Sequence, residues 1–385
     1  MERVQGLGAF MTYVYSGNGL GDFYFALVRD ITENGRKVNV RGHDCLELPG
    51  LVVLEYQRCG YCWMRIPGRK WNPFLALAEI PWILSGNGNV DWISYFGSNM
   101  KSFQDGNNPD LHGAYGLRIR KWPEKIVVEG EVDYTHIDQI DYTVKKLRAD
   151  PNSRQAVISL WDPIRDNEYS RDIPCNNTVT YTLRNGVLAQ TVTIRSNDLV
   201  WGTPYNAVQF THLHAYMAGL LGVKMGLFTY VIHNLHYYMD LYKPTLANLI
   251  EQAYKGEELE AECLTGFDTF GDFGLNCLKR DVEISFLEHY HDANKVRGEV
   301  FGAQLLPGEI PSRQNWLGYT KEIADALKLF IKVKSGFGLT TGTFDYLADL
   351  KQPLRDLIID FYESSKNPSA QLVVDFLRRK NDVTA

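Results

Sequence analysis

Two β-rich runs, Thr178-Val-Thr-Tyr-Thr-Leu183 and Val187-Leu-Ala-Gln-Thr-Val-Thr-Ile194, are joined by Arg184-Asn185-Gly186. No other stretch constrains the fold as tightly. Alternating β-branched and apolar residues on both sides of Asn-Gly specify a tight antiparallel hairpin, because such a turn needs positive φ at both central residues and this pair adopts it at least cost. A hairpin brings the chain back to where it started. Cys175, in Ile173-Pro-Cys-Asn-Asn-Thr178, is therefore expected beside Arg195, in Ile194-Arg-Ser-Asn-Asp198. A cysteine is a nucleophile only as its thiolate, and a guanidinium beside it stabilises that anion while offering a fork for a phosphate.

At 385 residues, 45% hydrophobic and 12% aromatic, the chain can bury a large core, as one big domain or two. A formal charge of -6 argues against broad nucleic-acid binding, though a few clustered arginines could hold one phosphate. No run approaches the roughly 18–20 apolar residues of a membrane span, and the N-terminus lacks the basic and apolar regions expected of a signal peptide, so no membrane association is expected and the cytoplasm is the expected compartment. Six cysteines in so long a chain do not make a disulfide framework.

The apolar positions of Pro73 to Leu84 predict a buried helix in which Glu79 is conspicuous: it is either an edge residue with an ion-pair partner or a carboxylate projecting into a cleft. Gly17-Asn-Gly-Leu-Gly21 and Ser85-Gly-Asn-Gly-Asn89 lack the context of phosphate loops and read as turns. A helical pattern over Asp133–Leu147 ends at Asp150-Pro-Asn-Ser153, a strand is expected over Ala156–Trp161, a second helix over Asn206–Leu221 with Gly222 ending it, and then a strand over Phe228–His233. Beyond Gln304, Lys321–Val333, Phe344–Leu350, Leu354–Tyr362 and Ala370–Arg379 read as amphipathic helices. The expected organisation is a catalytic domain over 1–303 and a helical extension over 304–385.

Several side chains could join Cys175. Asn206, near a helix start, is either an N-cap or an amide that reads the edge of a heterocycle, since an amide carries both a donor and an acceptor. His236 and Tyr238, two apart, share one strand face and suit a sugar hydroxyl, although such a pair is usually structural. His212 and His214 do not share a helix face and make a poor metal site. His43-x-Cys45 and Cys59-x2-Cys62 would supply four zinc donors if brought together, but the spacing is irregular and no metal is expected.

Taken in register, these segments resemble the thymidylate synthase superfamily, which includes the pyrimidine-nucleotide hydroxymethylases of bacteriophages. Pro174-Cys175 is similar to the family's nucleophile motif and Arg195-Ser196-Asn197-Asp198 to its Arg-Ser-x-Asp. Gly202-Thr-Pro-Tyr-Asn206 is similar to Gly-x-Pro-Phe-Asn, and His236-Tyr-Tyr238 to His-x-Tyr. Upstream, Asp150-Pro-Asn-Ser-Arg154 resembles the segment whose arginines reach the partner subunit's phosphate site, Glu79-Ile-Pro-Trp82 the helix of the catalytic glutamate, and Tyr115-Gly116 the family's Tyr-Gly. The register spans residues 25 to 245, and several motifs in order are far harder to obtain by chance than one.

The resemblance implies an α/β fold, a twisted mixed β-sheet with flanking helices whose back face makes a homodimer, plus the C-terminal helical extension. It implies that Cys175 adds to C6 of a uracil ring, and that 5,10-methylenetetrahydrofolate is the one-carbon co-substrate. Arg195, Ser196, Arg41 and, from the partner subunit, Arg154 would grip the 5′-phosphate. His236 and Tyr238 would hold the 3′-hydroxyl, Asp198 the pterin, and Glu79 and Tyr115 the waters and protons around the base, Glu79 also facing the folate.

Departures from the synthase pattern sharpen the expectation. Asn176 follows the nucleophile where synthases have histidine, Ile194 stands where they have glutamine, and Gln155 replaces the second of the paired arginines. The tryptophan that shields the exocyclic methylene has only Phe103 as a counterpart, so water is expected to reach that intermediate. Asn206 can donate to a 4-carbonyl and accept from N3–H, whereas the dCMP enzymes carry aspartate there. The reading is a dUMP hydroxymethylase serving a modified phage genome. Alternatives are a thymidylate synthase, a dCMP or CMP hydroxymethylase, or a non-catalytic nucleotide-binding or interaction protein whose helical tail is the working part. In every case the helical extension could be a lid, a dimer element or a docking surface for other nucleotide-metabolism enzymes.

Overall fold

The computed structural model describes residues 2–5, 11–58, 62–128, 131–167, 170–255, 259, 261–262, 318–335, 339, 350 and 354–384. The chain divides into two compact units, Met1–Arg69 with Ile140–Glu168 and Pro174–Cys263, and Lys70–Gln139 with Tyr169–Ile173 and Leu264–Ala385.

A seven-stranded sheet organises the first unit. In spatial order its strands are Glu2–Gln5, Met11–Gly17, Gly50–Tyr56, Lys224–Ile232, Val187–Ile194, Asn176–Arg184 and Val157–Ser159. Pairing alternates antiparallel and parallel across the first five strands and is antiparallel for the last two, so the sheet is mixed. Its two faces differ because successive strand residues point to opposite sides. Tyr15, Leu54, Tyr230, Val192, Val179 and Ile158 are register partners in one row, and all are buried. The adjacent row, Val14, Val53, Val231, Thr193 and Thr178, points the other way and is only half-buried.

The hairpin is as the sequence dictates. Arg184 pairs with Val187, and Asn185 and Gly186 take φ of 51° and 73°, the doubly left-handed turn that Asn-Gly adopts most readily. Helix Gly202–Leu221 is apolar nearly all round, so it runs through the interior, with every residue from Thr203 to Ala218 buried. It begins at Gly202, earlier than the expected Asn206, because Pro204 is tolerated in a first turn whose N–H groups lack helical partners. Gly222, at φ 68°, ends it as expected. A second, four-stranded sheet runs Asn197–Asp198, Leu235–Tyr238, His43–Glu47, Arg36–Val40.

The second unit is built on helix Pro73–Leu84, all twelve residues of which are buried. Asn72 caps it, its side-chain oxygen accepting from the N–H groups of Phe74 and Leu75 at 3.1 and 3.2 Å. Helix Tyr115–Arg120 lies so close that a Cβ on Gly116 would meet the carbonyls of Trp82 and Asn87 at 2.8 Å. The C-terminal helices Gly318–Ser335, Leu354–Tyr362 and Pro368–Thr384 are present, and Phe74 meets Phe330 at 4.8 Å and Phe361 and Tyr362 at 5.4 Å between ring centroids.

One expected helix needs correction at its start. Glu131–Ile137 is a strand, antiparallel to Trp122–Val128, and the helix spans Gln139–Ala149. The run Val132-Asp-Tyr-Thr-His-Ile137 is rich in β-branched and aromatic residues, and those preferences outweigh a helical period extended back from Ile140. Residues 303 and 304, where the domain boundary was expected, and most of Phe344–Leu350 lie outside the described residues. Among the described residues no helix is long and apolar enough to cross a membrane.

Candidate active site

Cys175 closes the hairpin at the end of strand Asn176–Arg184, and it is a half-buried thiol in no disulfide among the described residues. The N–H of Arg195 donates to the Cys175 carbonyl at 2.9 Å, and the Arg195 Nε donates to the Pro174 carbonyl at 2.8 Å. Arg195 thus stands where the hairpin argument requires it. Its guanidinium also lies 5.8 Å from the ring of Trp161, a cation–π contact that holds the plane of the fork. Ser196, the next residue, is half-buried.

Asn206 lies inside helix Gly202–Leu221, whose N-cap position is Trp201, so the capping role weighed from sequence does not apply. It is 9% exposed, and Tyr230 Oη donates to its carbonyl at 2.8 Å. Its side chain joins two other amides: Asn176 Nδ2 donates to its Oδ1 at 3.4 Å, and its Nδ2 donates to Asn197 Oδ1 at 3.1 Å.

The small sheet carries the next group. Asp198 pairs with His236 and Tyr238 with Cys45, in register. The His236 and Tyr238 rings meet edge to face at 5.3 Å. His236 Nδ1 is 2.8 Å from Asn234 Oδ1, and Asn234 donates in turn to Glu47 at 2.6 Å. Burial holds the His236 pKa below its ordinary value against the pull of Asp198 and Glu47, which favours the neutral ring. Burial likewise raises the Tyr238 phenol, with Cys45, Asp198 and Cys175 adding to it and Arg41 opposing. Arg41 occupies the turn between strands Arg36–Val40 and His43–Glu47, at φ 54°, and is exposed.

Both carboxylate oxygens of Asp198 are bonded, with acceptor capacity left on Oδ2. Its Oδ1 accepts from the N–H groups of Val200 and Trp201 at 2.8 and 3.1 Å, and its Oδ2 accepts from Tyr242 Oη at 2.9 Å. Tyr242 stacks on Trp201 with ring planes 7° apart. Sequence reasoning missed this neighbourhood, and it also missed Arg69. The Arg69 guanidinium lies over the rings of Trp201 and Tyr205 at 5.1 and 5.4 Å, and its Nη2 donates to the Trp201 carbonyl at 3.3 Å. Its Nε and Nη1 are shielded from solvent and have no hydrogen-bond partner among the described residues. The only sequence signal was the Trp-Gly-Thr-Pro-Tyr run of aromatics beside the recognised motif; nothing near Arg69 announces a partner in residues 201–205.

Arg154 is exposed on the turn after helix Gln139–Ala149. It lines a cavity of about 410 Å³ with Lys146, Asp150, Asn152, Ser153 and Gln155, and Lys146 Nζ donates to Gln155 Oε1 at 2.8 Å. Glu79 and Tyr115 belong to the second unit, Glu79 buried in helix Pro73–Leu84 and Tyr115 half-buried at the start of helix Tyr115–Arg120. His212 and His214 are core residues bonded to the carbonyls of Val208 and Leu188 at 2.6 and 2.7 Å. Of the residues weighed as zinc donors, His43 pairs with Asp240 at 2.9 Å and burial pushes the Cys45 thiol up to about 11, while Cys59 lies outside the described residues.

The family model described as Thymidylate synthase matches residues 22–301, which include the thiol, the arginine, the amides and the small sheet. The chain belongs to the thymidylate synthase family. Among its relatives, a "Deoxyuridylate hydroxymethyltransferase" of Bacillus phage SP01 is 32% identical over 253 residues, 65% of each chain. A protein of the same name from Pseudomonas phage M6 is 34% identical over 195 residues, 49% of this chain and 52% of the relative. A "Putative thymidylate synthase" of Methanocaldococcus jannaschii is 42% identical over 108 residues, 27% of this chain and 49% of the relative. The chain therefore spans between about half and just under two thirds of the length of these relatives. Helices Gly318–Ser335, Leu354–Tyr362 and Pro368–Thr384 lie beyond the stretch that the thymidylate synthase family model covers.

Proposed function

We propose that the protein is a deoxyuridylate hydroxymethylase that joins a one-carbon unit to C5 of dUMP and completes it with water. The observation that carries this reading is the thiol of Cys175, tied through its own carbonyl to Arg195, at the end of the strand whose next residue, Asn176, bonds the amide of Asn206. Names of the two phage relatives support the choice of base and product.

In this reading Arg195, Ser196 and Arg41 hold the 5′-phosphate, with Arg154 of a second subunit completing the grip, because guanidinium forks match phosphate oxygens in geometry and charge. The thiolate of Cys175 adds to C6 and leaves C5 electron-rich. Asn206 offers one N–H and one lone pair to the 4-carbonyl and N3–H. The neutral imidazole of His236 and the phenol of Tyr238 bind the 3′-hydroxyl. A pterin suits the carboxylate of Asp198, bonded to Tyr242, and the neighbouring rings of Trp201, Tyr205 and Tyr242, so these residues are assigned to 5,10-methylenetetrahydrofolate, which supplies the one-carbon unit. Glu79 and Tyr115 are assigned to the waters and protons of the same reaction, by family resemblance, Glu79 also facing the folate.

A homodimer follows from the same reading. The half-buried row Val14, Val53, Val231, Thr193 and Thr178 is an apolar, threonine-rich sheet face of the kind a second subunit covers. The enzyme would work in the cytoplasm, where its thiol stays reduced. The test is to follow folate and nucleotide together: 5-hydroxymethyl-dUMP should accumulate with no dihydrofolate. Dihydrofolate rising in step with product would favour the second reading, a thymidylate synthase, which the 42% identity to the Methanocaldococcus jannaschii protein supports.

A further inference from the structure

A primary amide is nearly symmetric in shape and opposite in chemistry at its two ends. With Nδ2 toward the 4-position and Oδ1 toward N3 it reads uracil; turned over, it accepts from a 4-amino group, donates to N3 and reads cytosine. An asparagine free to turn would therefore take both bases. Asn206 is not free. Asn176 Nδ2 donates to its Oδ1 at 3.4 Å, and Asn197 Oδ1 accepts from its Nδ2 at 3.1 Å.

The surroundings bury this chain of three amides and hold its backbones in place. Asn176 and Asn197 are 0% and 2% exposed, so no water relieves a mismatched contact there. The backbone of Asn197 is anchored by its N–H to the Asn234 carbonyl at 2.8 Å, and that of Asn206 by Tyr230. Packing is close beside Asn197 as well: a Cβ on Gly202 would come within 3.4 Å of Asn197 Oδ1. Turning Asn206 alone would set N–H against N–H at Asn176 and oxygen against oxygen at Asn197. Each amide atom of Asn206 can make two hydrogen bonds, which leaves one donor and one acceptor for a ligand.

We propose that Asn176 and Asn197 are positioning residues that decide which pyrimidine Asn206 reads, by fixing the polarity of its amide. This rests on the reading of the site as one for a pyrimidine nucleotide. Neither residue need touch the base; both act through Asn206.

The test compares the affinities of dUMP and dCMP for full-length protein by titration calorimetry, which does not depend on turnover. Wild type is expected to prefer dUMP. Asn176→Asp replaces the donor facing Asn206 Oδ1 with an acceptor, so Asn206 turns its N–H toward position 176, Asn197 turns with it to offer its own N–H to Asn206 Oδ1, and the preference shifts toward dCMP by about tenfold or more, the scale of one buried hydrogen bond. Repulsion between the new carboxylate and the phosphate weakens both nucleotides alike and cancels in the ratio. Asn197→Asp keeps an acceptor toward Asn206 Nδ2 and should hold the dUMP preference to within about threefold. If Asn176→Asp does not fold, as judged by its melting curve, Asn176→Ala removes the donor without adding charge and should still lower the preference. A merely structural role would weaken both nucleotides equally; an unchanged ratio in a variant at position 176, beside a discriminating wild type, overturns the relay alone. A wild type that binds neither nucleotide overturns the relay and the proposed function together.

Discussion

Tyr242 illustrates how a single hydroxyl can set a carboxylate. Its bond to Asp198 Oδ2 and the two backbone N–H groups on Oδ1 fix the plane of the acid against the aromatic rings assigned to the pterin. Tyr242→Phe removes one hydrogen bond of three and keeps the stacking, so the folate KM should rise about three- to tenfold while kcat changes little. An equal fall in kcat would mean that Asp198 acts in the chemical step. Cys175→Ala should abolish turnover and leave dUMP affinity nearly intact, measured by calorimetry. The sequence singled out Cys175, Arg195, Asp198, Asn206, His236 and Tyr238 as candidates, because their motifs follow one another in order. Tyr242, Arg69 and the amide partner Asn197 were not legible, because their roles arise from approaches between segments far apart in the chain.

Elements carry the next set of consequences. Gly186, at φ 73°, sets the register that brings Arg195 to Cys175, and Gly186→Val forces a β-branched residue into left-handed backbone. Urea unfolding should register a loss of about 1–2 kcal/mol. Helix Gly202–Leu221 gives the molecule an acid sensitivity. Burial lowers both His212 and His214 from an ordinary value of 6.5 to about 4. Between those values the unfolded chain binds more protons than the folded one, so stability falls as pH drops through the window, by on the order of 3 kcal/mol per histidine. His214→Leu should reduce the slope of unfolding free energy against pH by close to one proton across pH 6.5 to 4; an unchanged slope would contradict it. The hairpin was legible because turn chemistry and strand pattern agree there, whereas Glu131–Ile137 misled because two periodicities meet at Ile137 and Ile140.

At the scale of the whole molecule, the mixed sheet was legible in kind and its two-sidedness was not, since Val53 and Leu54 are equally apolar in sequence and differ only in which face they occupy. If the half-buried face is a subunit interface, Val53→Lys should convert a dimer into monomers in analytical ultracentrifugation, and should lower activity because Arg154 could no longer cross. A wild-type monomer with full activity would contradict both. The C-terminal helices use Phe330, Phe361 and Tyr362 to cover Phe74, so part of their apolar surface serves the second unit's own core. The central claim, that water completes the product, is open to one direct measurement. The protein is incubated with dUMP and 5,10-methylenetetrahydrofolate in oxygen-18 water, and the nucleotide is weighed by mass spectrometry. A hydroxymethyl product carrying the heavy oxygen is predicted; a methylated nucleotide without added oxygen would contradict the account.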